Sequence, residues 1–279
     1  MQKIIFVSGA SSGIGYDTAK SLARLGHKVY AGARRTALME PLREYGVIPL
    51  ELDVTDPLSR NRAISSILEQ EGRLDVLVNN AGYGYFGAIE TVSGEEARRQ
   101  LEVNLFGLSE LCRLVLPGMR ERGGGRIINV SSVAGKAVLY FGGWYHVSKF
   151  AVEAFSDSLR MEMAPFGVDV VIIEPGGIKT DWGTIAADHL IESSAGTPYE
   201  KPAANEAGLM REAYTSTLLS DPSVVTKAIV RAVESKRPRA RYRVGFGSRA
   251  MVWSHAILPD RAWDRLMRKA GSLKVKLKH

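Results

Sequence analysis

The chain has a single cysteine, Cys112, in 279 residues. No internal disulfide can form, and the expected place for this thiol is a helix, buried as a small apolar residue. No CxxC pair or His/Cys cluster is present, so the usual signatures of a metal site are missing. Apolar runs are short, and none approaches the roughly 20 residues that a membrane-crossing helix needs. A strand-like run starts at Lys3, which leaves no room for a cleavable leader, and a cytoplasmic protein is expected. Repeats and low-complexity tracts are absent. Disorder is excluded by composition, because 45% hydrophobic residues supply a sizeable core.

Acid is scarce in one place. The formal net charge is +7, yet residues 235–279 hold thirteen Lys/Arg against two acids, a balance of +11, and the remainder carries −4. The basic character therefore belongs to the C-terminal stretch. A solvated face and a weak contact with an anionic membrane surface both fit this pattern. No nucleic-acid-binding module accompanies the charge, so nucleic acid is not expected as a partner.

What is present is alternation. Strand-like runs fall at 3–8, 28–33, 47–52, 74–79, 126–131, 168–174 and 241–245, with helical patterns near 13–25, 36–45, 57–71, 94–121, 144–165 and 221–235. This order predicts an α/β fold, a doubly wound parallel sheet of about seven strands with helices on both faces. Residues 1–245 read as one domain. Within it the pattern loosens over 181–220, where Gly183, Gly196, Pro198 and Pro202 interrupt it. An irregular insertion on the ligand side of such a sheet predicts a substrate lid, or else a surface loop. Residues 246–279 read as a basic extension with two short helical patterns and a fraying end from Lys274 to His279.

Two motifs carry chemistry. Ser8-Gly9-Ala10-Ser11-Ser12-Gly13-Ile14-Gly15 lies between a strand and a helix. Glycines there let a backbone approach a pyrophosphate closely, and the helix start offers unpaired N–H donors to it. The second motif is Tyr145 and Lys149, one helical turn apart and so on one helix face. A free phenol has a pKa near 10, and a nearby ammonium is expected to bring it down toward working pH. Ser132, thirteen residues before Tyr145, could hold a carbonyl oxygen opposite the phenol. The set suggests carbonyl reduction, or its reverse, by general acid–base catalysis. His146, next to Tyr145, faces another way and is read as non-catalytic.

In their order and spacing these residues resemble the short-chain dehydrogenase/reductase family, over roughly residues 1–245. The resemblance implies a Rossmann-type fold and a nicotinamide cofactor. Gly9, Ser11, Ser12, Gly13, Ile14 and Gly15 resemble its cofactor loop. Asp53-Val54 matches the pair at the adenine ring, and Asn80-Ala81-Gly82 the motif closing the fourth strand. Asn104, Ser132, Tyr145 and Lys149 match the catalytic tetrad. By the resemblance, Lys149 also bonds the nicotinamide ribose, and Asn104 fixes a water linking Lys149 to solvent. Pro175-Gly176, Ile178 and Thr180 resemble the segment covering the nicotinamide. The segments 29–34 and 80–84 and the basic extension look most like the 17β-hydroxysteroid-dehydrogenase-like branch.

The second strand ends Ala33-Arg34-Arg35, with no acid to accept a ribose 2′-hydroxyl and two arginines able to bind a 2′-phosphate. NADP(H) is therefore expected in preference to NAD(H). Tyr83, Tyr85, Phe141, Trp144 and Trp182 form a candidate substrate wall, which suggests an apolar carbonyl or alcohol, steroid- or lipid-like. The alternatives are a cofactor-binding regulator without turnover, and membrane-surface association that could accompany catalysis. The long helical patterns 94–121 and 144–165 resemble those through which the family forms homodimers and homotetramers.

Overall fold

The computed structural model describes residues 1–216 and 218–272; the reading of Lys274 to His279 as a fraying end lies outside them. Seven strands form one sheet: β1 (Ile4–Ser8), β2 (Lys28–Ala33), β3 (Ile48–Glu51), β4 (Val76–Asn79), β5 (Gly125–Val130), β6 (Val168–Pro175) and β7 (Arg241–Val244). Their order is β3-β2-β1-β4-β5-β6-β7, and every neighbouring pair is parallel. The helices are α1 (Gly13–Arg24), α2 (Pro57–Glu71), α3 (Gly94–Leu101), α4 (Gly107–Glu121), α5 (Gly143–Met163), α6 (Trp182–Ser194), α7 (Glu200–Thr215), α8 (Ser223–Glu234), α9 (Ser248–Ile257) and α10 (Asp260–Ser272).

Strands covered on both faces explain the continuous apolar runs of the sequence. Ile5, Val7, Val29, Ala31, Val78 and Ile173 face α1 and α8 through Ala19, Leu22, Val225 and Ile229. Ile4, Phe6, Tyr30, Leu77 and Ile127 face the other way, onto Ile64, Ile67, Leu111, Val115 and Val152 of α2, α4 and α5. Helix ends follow local chemistry. Asp56 caps α2, accepting from the Leu58 and Ser59 N–H groups, with Pro57 in the first turn.

Three segments differ from expectation. Residues Thr36–Tyr45 form a 3₁₀ helix containing Pro41, which tolerates no regular α ladder. The pattern over 94–121 is split by a π turn at Glu102–Phe106, and Asn104 sits inside it. The stretch 181–220 is largely helical. Gly196 (φ 69°) and Pro198 fall in the turn between α6 and α7, and Pro202 lies in the first turn of α7, where its missing N–H has no partner to lose. Buried Ala186, Ala187, Ala203 and Ala207 let the two helices pack closely.

The strand order reverses between β1 and β4. A crevice therefore opens at their C-terminal ends, where Gly9 and Asn80 follow.

Candidate active site

Around that crevice the backbone is held by a small polar knot. The Ser8 hydroxyl accepts from the Asn80 and Ala81 N–H groups at 3.0 and 3.1 Å, and the Asn80 amide donates to the Ser8 and Gly9 carbonyls, both at 3.1 Å. A Cβ on Gly15 would lie 2.4 Å from the Gly9 carbonyl oxygen and 2.5 Å from Asn80 Nδ2, so only glycine lets α1 start this close. Gly9 and Gly13 have positive φ. Ser12 makes no side-chain cap, and no acid stands in the first turn of α1. The first-turn donors are left for an anion, which fits the pyrophosphate of a dinucleotide. Thr180 leans across from the far side, its Cγ2 3.9 Å from a Cβ placed on Gly13, and Ile14 packs against the core.

At the outer end, Ala33 is buried while Arg34 and Arg35 are exposed, and Arg35 Nη2 lies 3.4 Å from Ser11 Oγ. Asp53 follows β3 and accepts from the Thr55 N–H and hydroxyl at 2.9 and 2.7 Å. Burial raises its pKa, but the Thr55 bonds with Arg34 and Arg99 outweigh that and hold the carboxyl below its usual range. Val54 beside it is buried, and its carbonyl lies 2.6 Å from a Cβ placed on Gly107, which keeps α4 close.

The tetrad residues converge from three segments: the π turn, the end of β5 and α5. Tyr145 and Lys149 lie buried on α5, with the Lys149 Nζ 5.9 Å from the Tyr145 ring centroid. Ser132 follows β5, lies near enough to the Tyr145 phenol to favour its ionised form, and accepts from the Ala134 N–H at 3.1 Å. Its Oγ lies 3.5 Å from the Pro175 carbonyl, which brings the 175–180 segment alongside; Gly176 bonds to the Val244 carbonyl and Ile178 is buried. Asn104, in the π turn, holds the Tyr83 main chain from both sides, at 3.0 and 2.8 Å, and donates to Ser148 at 3.0 Å. Its side chain is thus a clamp between the 82–83 turn and α5. Gly82 makes room for both neighbours: a Cβ there would be 3.1 Å from Asn104 Oδ1 and 3.7 Å from Lys149 Nζ.

One electrostatic expectation is corrected. The Tyr145 phenol is not acidified by Lys149. Burial pushes it up to about 12, and only the nearby Ser132 side chain pulls the other way. The lysine donates instead to the Val130 carbonyl at 3.0 Å. Its own pKa is drawn down to about 8 by burial, with Glu153, one turn further on, favouring the charged form. Glu153 is anchored in turn by Lys136 at 2.9 Å and Arg241 at 3.1 Å.

Over the phenol lies an apolar wall from distant segments. Trp182, at the start of α6, sits 5.1 Å from the Tyr145 ring, 5.6 Å from Phe86 and 6.2 Å from Tyr214, centroid to centroid. Gly84 and Gly183 allow this: a Cβ on either would lie 2.4 Å or less from the Trp182 or Tyr214 ring. Phe141 joins the cluster and holds φ 59°, strained for a bulky residue. Tyr85 stacks on His189 of α6 at 4.5 Å.

Two of the predicted wall residues stand apart. Tyr83 turns its hydroxyl to Glu96 at 2.6 Å. Trp144 is not part of the apolar cluster, because adjacent helix positions diverge by about 100°. Tyr199, Met210 and Tyr214 belong to the cluster or touch it, and no local signal marked them, since they lie in the stretch whose pattern loosened. His146 is a positioning residue: its Nε2 accepts from the Leu139 N–H at 2.8 Å and its Nδ1 lies 2.9 Å from the Ala134 carbonyl, fixing the segment between Ser132 and α5. Cys112 is buried on α4, its thiol pushed up to about 12. Among the described residues no His/Cys/Asp/Glu group could hold a metal, and no helix is long and apolar enough to cross a membrane.

Residues 3–189 match the family described as short chain dehydrogenase. A probable short-chain type dehydrogenase/reductase of Helicobacter pylori is 35% identical, covering 94% of this chain and 95% of the relative. Retinol dehydrogenase 7 of Mus musculus is 35% identical over 95% of this chain and 87% of its own. A 3-ketodihydrosphingosine reductase of Bacteroides thetaiotaomicron is 41% identical over 64% of this chain and 65% of its own. Among solved structures, a short-chain dehydrogenase from Streptomyces avermitilis superposes with TM-score 0.79 at 31% identity, covering 96% and 99% of the two chains. A serine dehydrogenase complexed with NADP+ gives 0.75 at 27% identity, covering 87% and 94%. A Burkholderia phymatum enzyme in complex with NAD gives 0.74, covering 86% and 88%; at 23% identity it speaks to the fold alone. Family match, near full-length relatives and a seven-stranded parallel sheet agree: the chain belongs to the short-chain dehydrogenase family of nicotinamide-dependent oxidoreductases.

Proposed function

We propose that the protein is an NADP(H)-preferring oxidoreductase acting on the carbonyl or secondary alcohol of an apolar, lipid-like substrate. The observation that carries this reading is the buried Tyr145 phenol beneath an aromatic wall, with Ser132 near it and Lys149 one turn away. A bound nicotinamide supplies or accepts the hydride. Gly9, Ser11, Ser12, Gly13 and Gly15 would hold its pyrophosphate, Asp53 and Val54 its adenine, and the 175–180 segment its nicotinamide. In reduction Tyr145 donates the phenolic proton to the substrate oxygen. A phenol held near 12 is fully protonated at neutral pH, as a proton donor must be. Ser132 hydrogen-bonds the same oxygen and fixes it opposite the phenol. Lys149, mostly charged at pH 7 and one helical turn from the phenol, would bond the nicotinamide ribose and so hold the cofactor beside Tyr145.

Arg34 and Arg35 support the preference for NADP(H): both are exposed, Arg35 lies beside the Ser11 hydroxyl, and no acid ends β2 to repel a 2′-phosphate. Trp182, Phe86 and Phe141 support an apolar substrate. The names of the mouse and Bacteroides relatives, a retinol dehydrogenase and a 3-ketodihydrosphingosine reductase, point the same way, as does the resemblance to the 17β-hydroxysteroid-dehydrogenase-like branch. In this reading residues 1–245 are the catalytic domain, α6 and α7 form its substrate lid, and residues 246–279 are an extension. Homo-oligomers form through α4 and α5, the latter exposing Val147, Phe150 and Met161.

The test is turnover of steroid, retinoid and long-chain carbonyls, with small ketones as controls, comparing kcat/KM for NADPH and NADH. NADPH and the large apolar carbonyls should be favoured, and Tyr145→Phe should abolish turnover while NADPH still binds. A preference for NADH, or full activity in the phenylalanine variant, contradicts the assignment.

A further inference from the structure

We propose that α9 and the free edge of β7 form a docking face for an anionic phospholipid bilayer. The sequence places Arg237, Arg239, Arg241 and Arg243 at alternate positions; Arg241 and Arg243 lie in β7 and share one face, and Arg237 and Arg239 precede it. β7 is the last strand of the sheet. Ala240 and Val244 bond inward to β6, so the main-chain groups of Arg241 and Arg243 point to the outer edge. A groove of about 610 Å³ runs along this edge, lined by five arginines and a single acid, Glu174. Glu174 is fully buried and already paired with Arg243 at 2.6 Å and Arg241 at 3.2 Å. The other three, Arg231, Arg239 and Arg249, have no acid within ion-pair distance among the described residues.

The helix beside the groove is turned inside out for a protein in water. Its exposed positions are Arg249, Ala250, Trp253, Ala256 and Ile257, one continuous helical stripe without an acid. Trp253 is 72% and Ile257 59% exposed, and half-exposed Phe246 extends the apolar strip toward β7. An indole and aliphatic groups beside unpaired guanidinium groups match the headgroup layer of a membrane. There the apolar groups enter the acyl boundary and the arginines reach the phosphates. The face is firmly attached. Trp263 of α10 donates to the Val138 carbonyl at 2.8 Å, and Gly177 bonds to the Phe246 carbonyl at 3.0 Å. A second copy of the chain is a poor occupant, because a two-fold contact would press this arginine groove against itself.

The experiment is co-sedimentation of the full chain with vesicles of phosphatidylcholine alone, or of phosphatidylcholine with one quarter phosphatidylglycerol. Binding is expected to the anionic vesicles and to weaken with salt. Each arginine near such a surface is worth about fivefold. The triple variant Arg231→Gln, Arg239→Gln, Arg249→Gln should therefore bind on the order of a hundredfold more weakly. Trp253→Ser with Ile257→Ser should lose at least about tenfold. All these side chains are exposed, and both variants should keep wild-type circular dichroism and turnover of a small soluble carbonyl, so failure here is separable from failure of the proposed activity. No binding to anionic vesicles, equal binding to phosphatidylcholine alone, or undiminished binding by the serine variant would overturn the proposal. So would a change of oligomeric state in the serine variant without lipid, which would make the face a contact between copies.

Discussion

Lys149 should destabilise the fold that depends on it for chemistry, and Lys149→Met should expose the cost. Burial draws its pKa from 10.5 to about 8. At 1.36 kcal/mol per pH unit, keeping the ammonium in this site costs about 3 kcal/mol at pH 7. Methionine is similar in length, removes the charge and leaves the Val130 carbonyl without its donor, which returns about 1–2 kcal/mol of the gain. The variant should therefore be about 1–2 kcal/mol more stable at pH 7 and catalytically impaired. The sign of the pH dependence follows from the lowered pKa. Below pH 8 both folded and unfolded lysines are charged, and the full penalty applies. Between about 8 and 10.5 the unfolded chain binds more protons, so wild-type stability rises with pH, and the penalty is gone above 10.5. Urea unfolding of the cofactor-free protein, followed by tryptophan fluorescence at pH 7, 8.5 and 10, measures this. A methionine variant less stable than wild type at pH 7, or a difference unchanged across the series, would refute the reasoning.

Gly15→Ala should weaken NADPH binding at least about tenfold and cost about 1–3 kcal/mol, because its Cβ would meet the Gly9 carbonyl and Asn80; calorimetric titration and thermal melting check both. Burial holds the His146 pKa below its ordinary 6.5. The unfolded chain takes the proton first, so stability should fall as pH drops below about 6.5, and His146→Gln should flatten the dependence of urea midpoints between pH 5 and 7. Trp182→Ala should lower kcat/KM for a large apolar carbonyl more than for a small ketone; equal losses would mean that the indole holds the fold rather than the substrate.

Much of the architecture was legible because its signals are local. A strand buried on both faces must be apolar along its whole length, so β1, β2, β5 and β6 appear as short hydrophobic runs. The glycine turn announces itself because no side chain fits at Gly9 or Gly15. The α6–α7 pair was obscured by Gly183, Gly196 and Pro202, which look like breakers but occupy first turns and the connecting turn, while the alanines that join the helices carry no obvious pattern.

The site divides in the same way. The sequence by itself determined that Tyr145 and Lys149 share a helix face and that Gly9, Gly13 and Gly15 can cradle an anion, since both depend only on spacing of a few residues. Only the tertiary structure decided that Trp182 roofs the phenol, that Asn104 clamps the Tyr83 turn from a π bulge, and that Lys149 bonds Val130 rather than acidifying Tyr145. The physical reason is burial: how far water is excluded from a phenol or an ammonium depends on residues brought in from across the chain, and that exclusion sets the proton affinities on which the chemistry turns.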